Sequence, residues 1–330
     1  MRTLSRSTGI RIRAAAMLAT LALGCIPASN IWCADLWFAN YANDTIEWFS
    51  AKQLKSNGTP VPGHFGLVPG MIGLGFDSSH NLWVTAGGGE VLKFTPAEVK
   101  KMPDTFKTKA AKTITSSTFD DILGCAFDGH GNLWVTDTDD AFYELSKAQL
   151  KAGGSLTPAI IITSTSLQFP NFITFDKSGD AWLDSVASDQ LMEFDAENLT
   201  SGGEKSPDVV ISDDGTGTSL HAPGEIAFDK SGDLWVPNLN GGTVSEYTPT
   251  QLAQSGSPAP TVKLSATGGS LDRPWSAAFD GSSLIVYNFA SGTFSEFSAD
   301  QLKTTGAPVP SVFLDESDSE GYQLVVAPPP

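Results

Sequence analysis

Twelve positions in this sequence, two from each of six stretches of about fifty residues, hold the side chains whose types and spacing bear on chemistry. The first set is Tyr322, Ile72, Leu123, Asn171, Gly224 and Trp275, and the second is Asn40, Ala86, Asp137, Ser185, Asn238 and Asn288. The first set is largely apolar or aromatic. The second is mostly amide and hydroxyl with one acid, and Glu225 adds another acid beside Gly224. Apolar walls with a few orienting polar groups describe a small-molecule pocket. The candidate ligand contacts are therefore Asn40, Asp137, Asn171, Ser185, Glu225, Asn238, Trp275, Asn288 and Tyr322. No side chain opposite Asn171, Gly224 and Trp275 titrates near neutral pH, so no general base stands ready there. A non-catalytic binder of a small molecule, glycan or protein is the leading expectation, with no cofactor. The alternative is a site for calcium or magnesium made by Asp137, Asn171, Glu225 and Asn238, since hard cations take oxygen ligands.

Self-similarity predicts the elements that position these residues. Trp37, Trp83, Trp134, Trp182 and Trp235 share one repeated position, which Ile285 takes in the last unit. Phe76, Phe127, Phe175, Phe228 and Phe279 share another, and each is followed by an aspartate that opens a tight turn by accepting from backbone amides. A strand of the "LWVTD" type follows, then a hairpin, a third strand such as "TVSEY", a capping box and a fourth strand such as "PTVKL". The boxes are Ser50-x-x-Gln53, Thr95-x-x-Glu98, Ser146-x-x-Gln149, Thr248-x-x-Gln251 and Ser298-x-x-Gln301, with Asp195-x-x-Asn198 a looser version.

Six repeats of four short strands predict an all-β, six-bladed β-propeller. The first unit opens on "LWFAN", its second strand, and the missing first strand stands at residues 321–328. Pairing the termini within one blade removes the open sheet edges. The expected division is a signal peptide and short linker over 1–34 and the propeller over 35–330, with blades starting near 70, 119, 169, 221 and 272.

Charge and the amino terminus set the expected address. Arg2, Arg6, Arg11 and Arg13 precede an apolar run from Ala14 to Leu23, too short for a stable span, so export to the periplasm or the medium is expected. A lipid anchor at Cys25 is the minor alternative. Beyond residue 34 the chain carries 16 basic and 37 acidic side chains, a formal charge of −21. Such acidity repels phosphate backbones, so nucleic acid is excluded as a partner. A monomer is expected, with no membrane span. Three cysteines do not suggest a disulfide framework, and Cys125 reads as a small buried apolar residue.

The "FDxxGNLWVTD" unit resembles those of NHL-repeat, streptogramin B (virginiamycin B) lyase and gluconolactonase-type propellers, and the likeness covers residues 35–330. It implies the same architecture, with an active site at the mouth of the channel. The histidines that the lyase resemblance implies are absent, since Asn171, Gly224 and Trp275 stand in those places. The gluconolactonase resemblance implies a divalent cation, for which Asn171 is a fitting ligand and Ile72, Leu123 and Trp275 are not. A metal-assisted lyase or lactonase is therefore the alternative function.

Overall fold

The computed structural model describes residues 17–18, 35–61, 63–101, 109–266, 269–315 and 323–327. These form six sheets, each with four strands in antiparallel order, arranged as the blades of a propeller. Blade 1 comprises Gln323–Ala327, Asp35–Asn40, Thr45–Phe49 and Gly63–Leu67. Blade 2 comprises Met71–Phe76, Leu82–Ala86, Glu90–Phe94 and Lys112–Thr115. Blade 3 runs Ile122–Phe127, Leu133–Asp137, Ala141–Leu145 and Ile160–Thr163. Blade 4 runs Ile173–Phe175, Ala181–Ser185, Gln190–Phe194 and Val209–Ser212. Blade 5 is built from Ala227–Phe228, Leu234–Asn238, Thr243–Tyr247 and Val262–Ser265. Blade 6 is built from Pro274–Asp280, Ser283–Asn288, Thr293–Phe297 and Val312–Asp315. The two-residue strand Met17–Leu18 pairs in parallel with Gly73 and Leu74 of blade 2.

The repeated aromatics are explained by contacts between blades. Each tryptophan packs against the Phe of the next blade's Phe-Asp step. Ring centroids are 5.2 Å apart for Trp37–Phe76, 6.3 Å for Trp83–Phe127 and 6.2 Å for Trp134–Phe175. Trp182–Phe228 and Trp235–Phe279 continue the series at 6.2 and 6.3 Å. Such pairs add about 0.5–1.5 kcal/mol each beyond the area they bury. At the seam between blades 6 and 1 a smaller pair, Ile285 and Val326, shares one core cluster. In blades 2 to 5 the Asp after the Phe accepts the amide two residues on, from Ser79, His130, Ser178 and Ser231. In blades 2 and 3 it also accepts the indole N–H of that blade's own tryptophan, at 2.9 and 3.2 Å. One carboxylate thus shapes the turn and orients the core ring.

Three capping boxes form, with helices at Pro96–Val99, Lys147–Ala152 and Pro249–Leu252. The looser Asp195-x-x-Asn198 does not, because Asp195 N and Asn198 Nδ2 both donate to Asp208 Oδ2 instead. Gln53–Lys55, Asn198–Thr200 and Gln301–Lys303 tighten to a single 3₁₀ turn. Ser50 and Ser298 still donate their amides to Gln53 and Gln301 at 2.9 and 2.8 Å. The capping glutamines do a second job, since their amide groups donate to Val61, Thr157 and Ala259 carbonyls in the Pro-rich loops that follow.

Closure occurs at two radii. On the inside, Gln323–Ala327 pairs with Asp35–Ala39 over five residues, as the terminal repeats predict. On the outside, the loop after the helical turn of blades 1, 3, 4, 5 and 6 bridges in parallel to the outermost strand of the preceding blade. Gly154–Ser155 joins blade 2, Gly203–Glu204 joins blade 3, and Gly256 and Gly306 bridge to Ile211 and Leu264. Gly58 bridges to Leu314 across the same seam that the C-terminal strand closes, with Asp315 N donating to Gly58 O at 3.0 Å. No helix among the described residues is long and apolar enough to cross a membrane.

Candidate functional site

The residues ending each second strand are clasps within their own blades. Asn238 donates through Nδ2 to Thr243 and Ser245 hydroxyls at 3.2 and 3.1 Å, and its Oδ1 accepts the His221 amide. Asn288 repeats the pattern with Thr293, Ser295 and the Asp272 amide. Asp137 accepts the amides of Asp120 and Asp121 at 3.0 and 3.2 Å, and Ser185 accepts that of Gln168 at 2.9 Å. Asn40 donates to Glu47 Oε1 at 3.0 Å and accepts the Asn43 amide. All five side chains are buried. In blades 3 to 6 the clasp ties the loop that enters the first strand to the end of the second. Replacing Asp137 with Ala strands two amides, and is expected to cost about 1–3 kcal/mol in urea unfolding.

A different group gathers at the channel. Ile72, Leu123, Asn171 and Trp275 are buried there. Phe172 of blade 4 meets Trp275 of blade 6 edge to face, with centroids 5.5 Å apart. Gly224 lets blade 5 approach beneath them, since a Cβ at that position would lie 2.0 Å from the Trp275 carbonyl oxygen. Glu225 N donates to that carbonyl at 2.8 Å, which fixes the next side chain. The Glu225 carboxyl is buried, and neither oxygen makes a hydrogen bond of ordinary geometry. Its polar neighbours are the Ser276 side chain and the Leu324 backbone, from blades 6 and 1, with the charge of Asp184 from blade 4. Its own charge reaches Cys125 of blade 3. Glu225 therefore sits where the blades converge. Burial, seconded by Asp184, holds its pKa well above the usual carboxylate range.

Asp184 was not among the residues expected from sequence. It stands one residue before Ser185, where blades 2 and 3 have Thr85 and Thr136. Those hydroxyls donate to the next blade's carbonyls, Leu123 O at 2.5 Å and Asn171 O at 3.0 Å. An ionised carboxylate cannot donate, whereas a protonated one can. Asp184 Oδ1 accepts the Asn171 and Phe172 amides while Oδ2 has no partner, and burial raises its pKa well above the ordinary value. Asn171 Nδ2, beside the Asp184 carboxyl, and Trp275 Nε1 are also buried without an acceptor of ordinary geometry. The cluster thus offers two N–H donors and two acid groups with unspent hydrogen-bonding capacity. The departure from "LWVTD" to "AWLDS" was the signal for Asp184. Tyr322 lies outside the described residues.

The remaining titratable groups have other placements. Cys125 is a free, buried thiol pushed above its usual range by burial. His80 and His130 lie exposed in the Asp turns. His221 contacts Gly217 O through Nδ1 at 3.1 Å. Asp180, Glu193 and Asp195 bring three carboxylates within 4.8 Å of one another in blade 4 and its capped turn. Burial and the charges of Asp195, Asp180, Asp208 and Asp176 push Glu193 up to about 8.

No family model and no curated protein sequence matches the chain. Solved structures do. Virginiamycin B lyase from Staphylococcus aureus is 12% identical, covers 83% of this chain and 80% of its own, and superposes with a TM-score of 0.54. A streptogramin B lyase is 15% identical over 81% of this chain and 77% of that one, at 0.55. A chain of the nidogen/laminin complex is 16% identical over 89% and 98%, at 0.64. At these identities the likeness concerns architecture, and one fold hosts many functions. The chain is a six-bladed β-propeller with the fold of the streptogramin B lyases and of the nidogen/laminin propeller.

Proposed function

We propose that this chain is an exported binding protein whose small-molecule, glycan or protein ligand engages the channel through Glu225, Asp184 and Asn171 beside Trp275. The observation that carries this reading is the buried Glu225 carboxyl, which has Ser276 and the Leu324 backbone beside it but makes no hydrogen bond of ordinary geometry to either. Leaving such a group unsatisfied costs about 1–3 kcal/mol, and a ligand N–H or O–H would recover that cost. Asn171 Nδ2 and Trp275 Nε1 would receive the ligand's acceptors. Asn40, Asp137, Ser185, Asn238 and Asn288 then act by holding the mouth rigid. Met17–Leu18 lies against the innermost strands of blades 1, 2 and 3. Cleavage of the leader on export would free that axial space for the ligand.

The second reading is a lyase or lactonase assisted by calcium or magnesium. It is favoured by the oxygen-rich set Asn171, Asp184 and Glu225, whose two buried carboxyls a bound cation would hold ionised. Asp137 and Asn238 have their polar atoms engaged in the clasps and would serve that cation indirectly. Metal analysis of the purified protein after dialysis separates the readings. A stoichiometric calcium or magnesium ion that disappears in Glu225→Gln supports the enzyme. Its absence, with a ligand-induced rise in melting temperature lost in Glu225→Gln, supports the binder. A ligand whose affinity is unchanged in both Glu225→Gln and Trp275→Ala would remove the channel from consideration.

A further inference from the structure

The grooves between blades at the face opposite the clasps repeat with the fold, and one differs sharply in charge. Grooves of about 470–510 Å³ open between blades 2 and 3, between blades 3 and 4 and between blades 5 and 6. In each, a third-strand residue stands beside the second-strand tryptophan. That residue is Glu144 opposite Trp134 and Glu246 opposite Trp235, with Glu193 and Glu296 equivalent in blades 4 and 6. In blade 2 it is Lys93, opposite Trp83. Lys112, Lys147, Lys151 and His130 line the same groove. Eight of the chain's fifteen lysines lie between residues 93 and 151, in a protein whose formal charge is −17.

The two acids in this groove are already engaged. Asp77 accepts from the Ser79 and Asn81 amides, the Asn81 side chain and the Trp83 indole. Asp128 does the same with His130, Asn132 and Trp134. Lys93 is held at the floor, 5.2 Å from the Trp83 ring centroid and 3.9 Å from Asp77 Oδ2. Lys147 lies over Gly131 with Nζ 3.6 Å from where a Cβ would stand, and the Lys112 stem lies over Gly153. Four ammonium groups thus face two carboxylates, an excess of positive charge, within a cleft large enough for a small ligand.

We infer that the blade 2–blade 3 groove binds a small oxyanion-bearing molecule, of the size and charge of a sugar phosphate or a sugar acid. The site is independent of the channel: its ligand is drawn by charge and held between Lys93 and Lys112 within and Lys147 and Lys151 at the rim. Calorimetry of the full chain with glucose 6-phosphate, glucuronate and glucose tests it. Saturable one-to-one binding of either anion, with none of glucose, is expected, and the better anion identifies phosphate or carboxylate as the group recognised. Lys93→Glu with Lys112→Glu should weaken it by about tenfold or more. Glutamate is native at the Lys93 position in four other blades, so folding should survive, and the thermal transition verifies this. Lys147→Ala with Lys151→Ala, both exposed, should weaken binding a few-fold without touching the core. Glu225→Gln should leave it unchanged, which separates this site from the channel. Binding that never saturates, binding indifferent to both lysine pairs, or no binding of either anion overturns the inference.

Discussion

Truncation before Gln323 is expected to abolish cooperative unfolding. The strand Gln323–Ala327 buries Leu324, Val325 and Ala327 and supplies a full ladder partner to Asp35–Ala39. At about 1.5–3 kcal/mol for each large aliphatic side chain, loss of Leu324 and Val325 alone removes about 3–6 kcal/mol, before the ladder hydrogen bonds are counted. That approaches the whole margin of a folded domain, about 5–15 kcal/mol. It also uncovers Phe38 and Trp37 at the axis, both now fully buried. Differential scanning calorimetry should show a broad transition of much reduced enthalpy, with dye binding that reports exposed apolar surface. A sharp transition at the native temperature in the truncated chain would show that the inner seam does not hold the ring.

The second large effect is on pH. Glu193 is pushed up to about 8 and Glu246 up to about 7, in both cases first by burial. Neighbouring acids add to it: Asp195, Asp180, Asp208 and Asp176 around Glu193, and Asp233 and Asp229 around Glu246. Each folded-state pKa lies above the unfolded value near 4.5. Stability is therefore fully present below about pH 4.5 and is lost as pH rises through the folded-state values. Both side chains keep a small exposed fraction, so the combined loss is placed at about 3 kcal/mol rather than the full linkage value. Urea unfolding between pH 5 and 9 should show this decline, and Glu193→Gln with Glu246→Gln should flatten it. A decline of equal size in the double variant would place its origin elsewhere in the acidic surface.

The architecture was readable from sequence because its determinants are local and repeated. A Phe-Asp turn and a tryptophan at fixed spacing state both the strand pair and the partner on the next blade, and the contact Trp134–Phe175 is the physical meaning of that spacing. The channel was less readable because its chemistry depends on side-chain direction. Asn238 and Asn288 occupy the positions expected for a mouth, yet their amides fold back onto Ser245 and Ser295. The ladder register slips just before Asp137, which directs that side chain to the entering loop. Asp184 was missed because a search along two chosen positions passes over a departure one residue away. Glu225 was found, but as an adjunct to Gly224. Its central position follows from the missing Cβ at Gly224, which brings blade 5 against Trp275.

The double seam has a consequence for traffic. Gln323–Ala327 locks both ends of the chain into one sheet at the hub, and parting blade 1 from blade 6 would break the Gly58–Leu314 latch at the circumference. A ligand of Glu225 would then come down the shaft, and the shape of its opening would decide what is admitted.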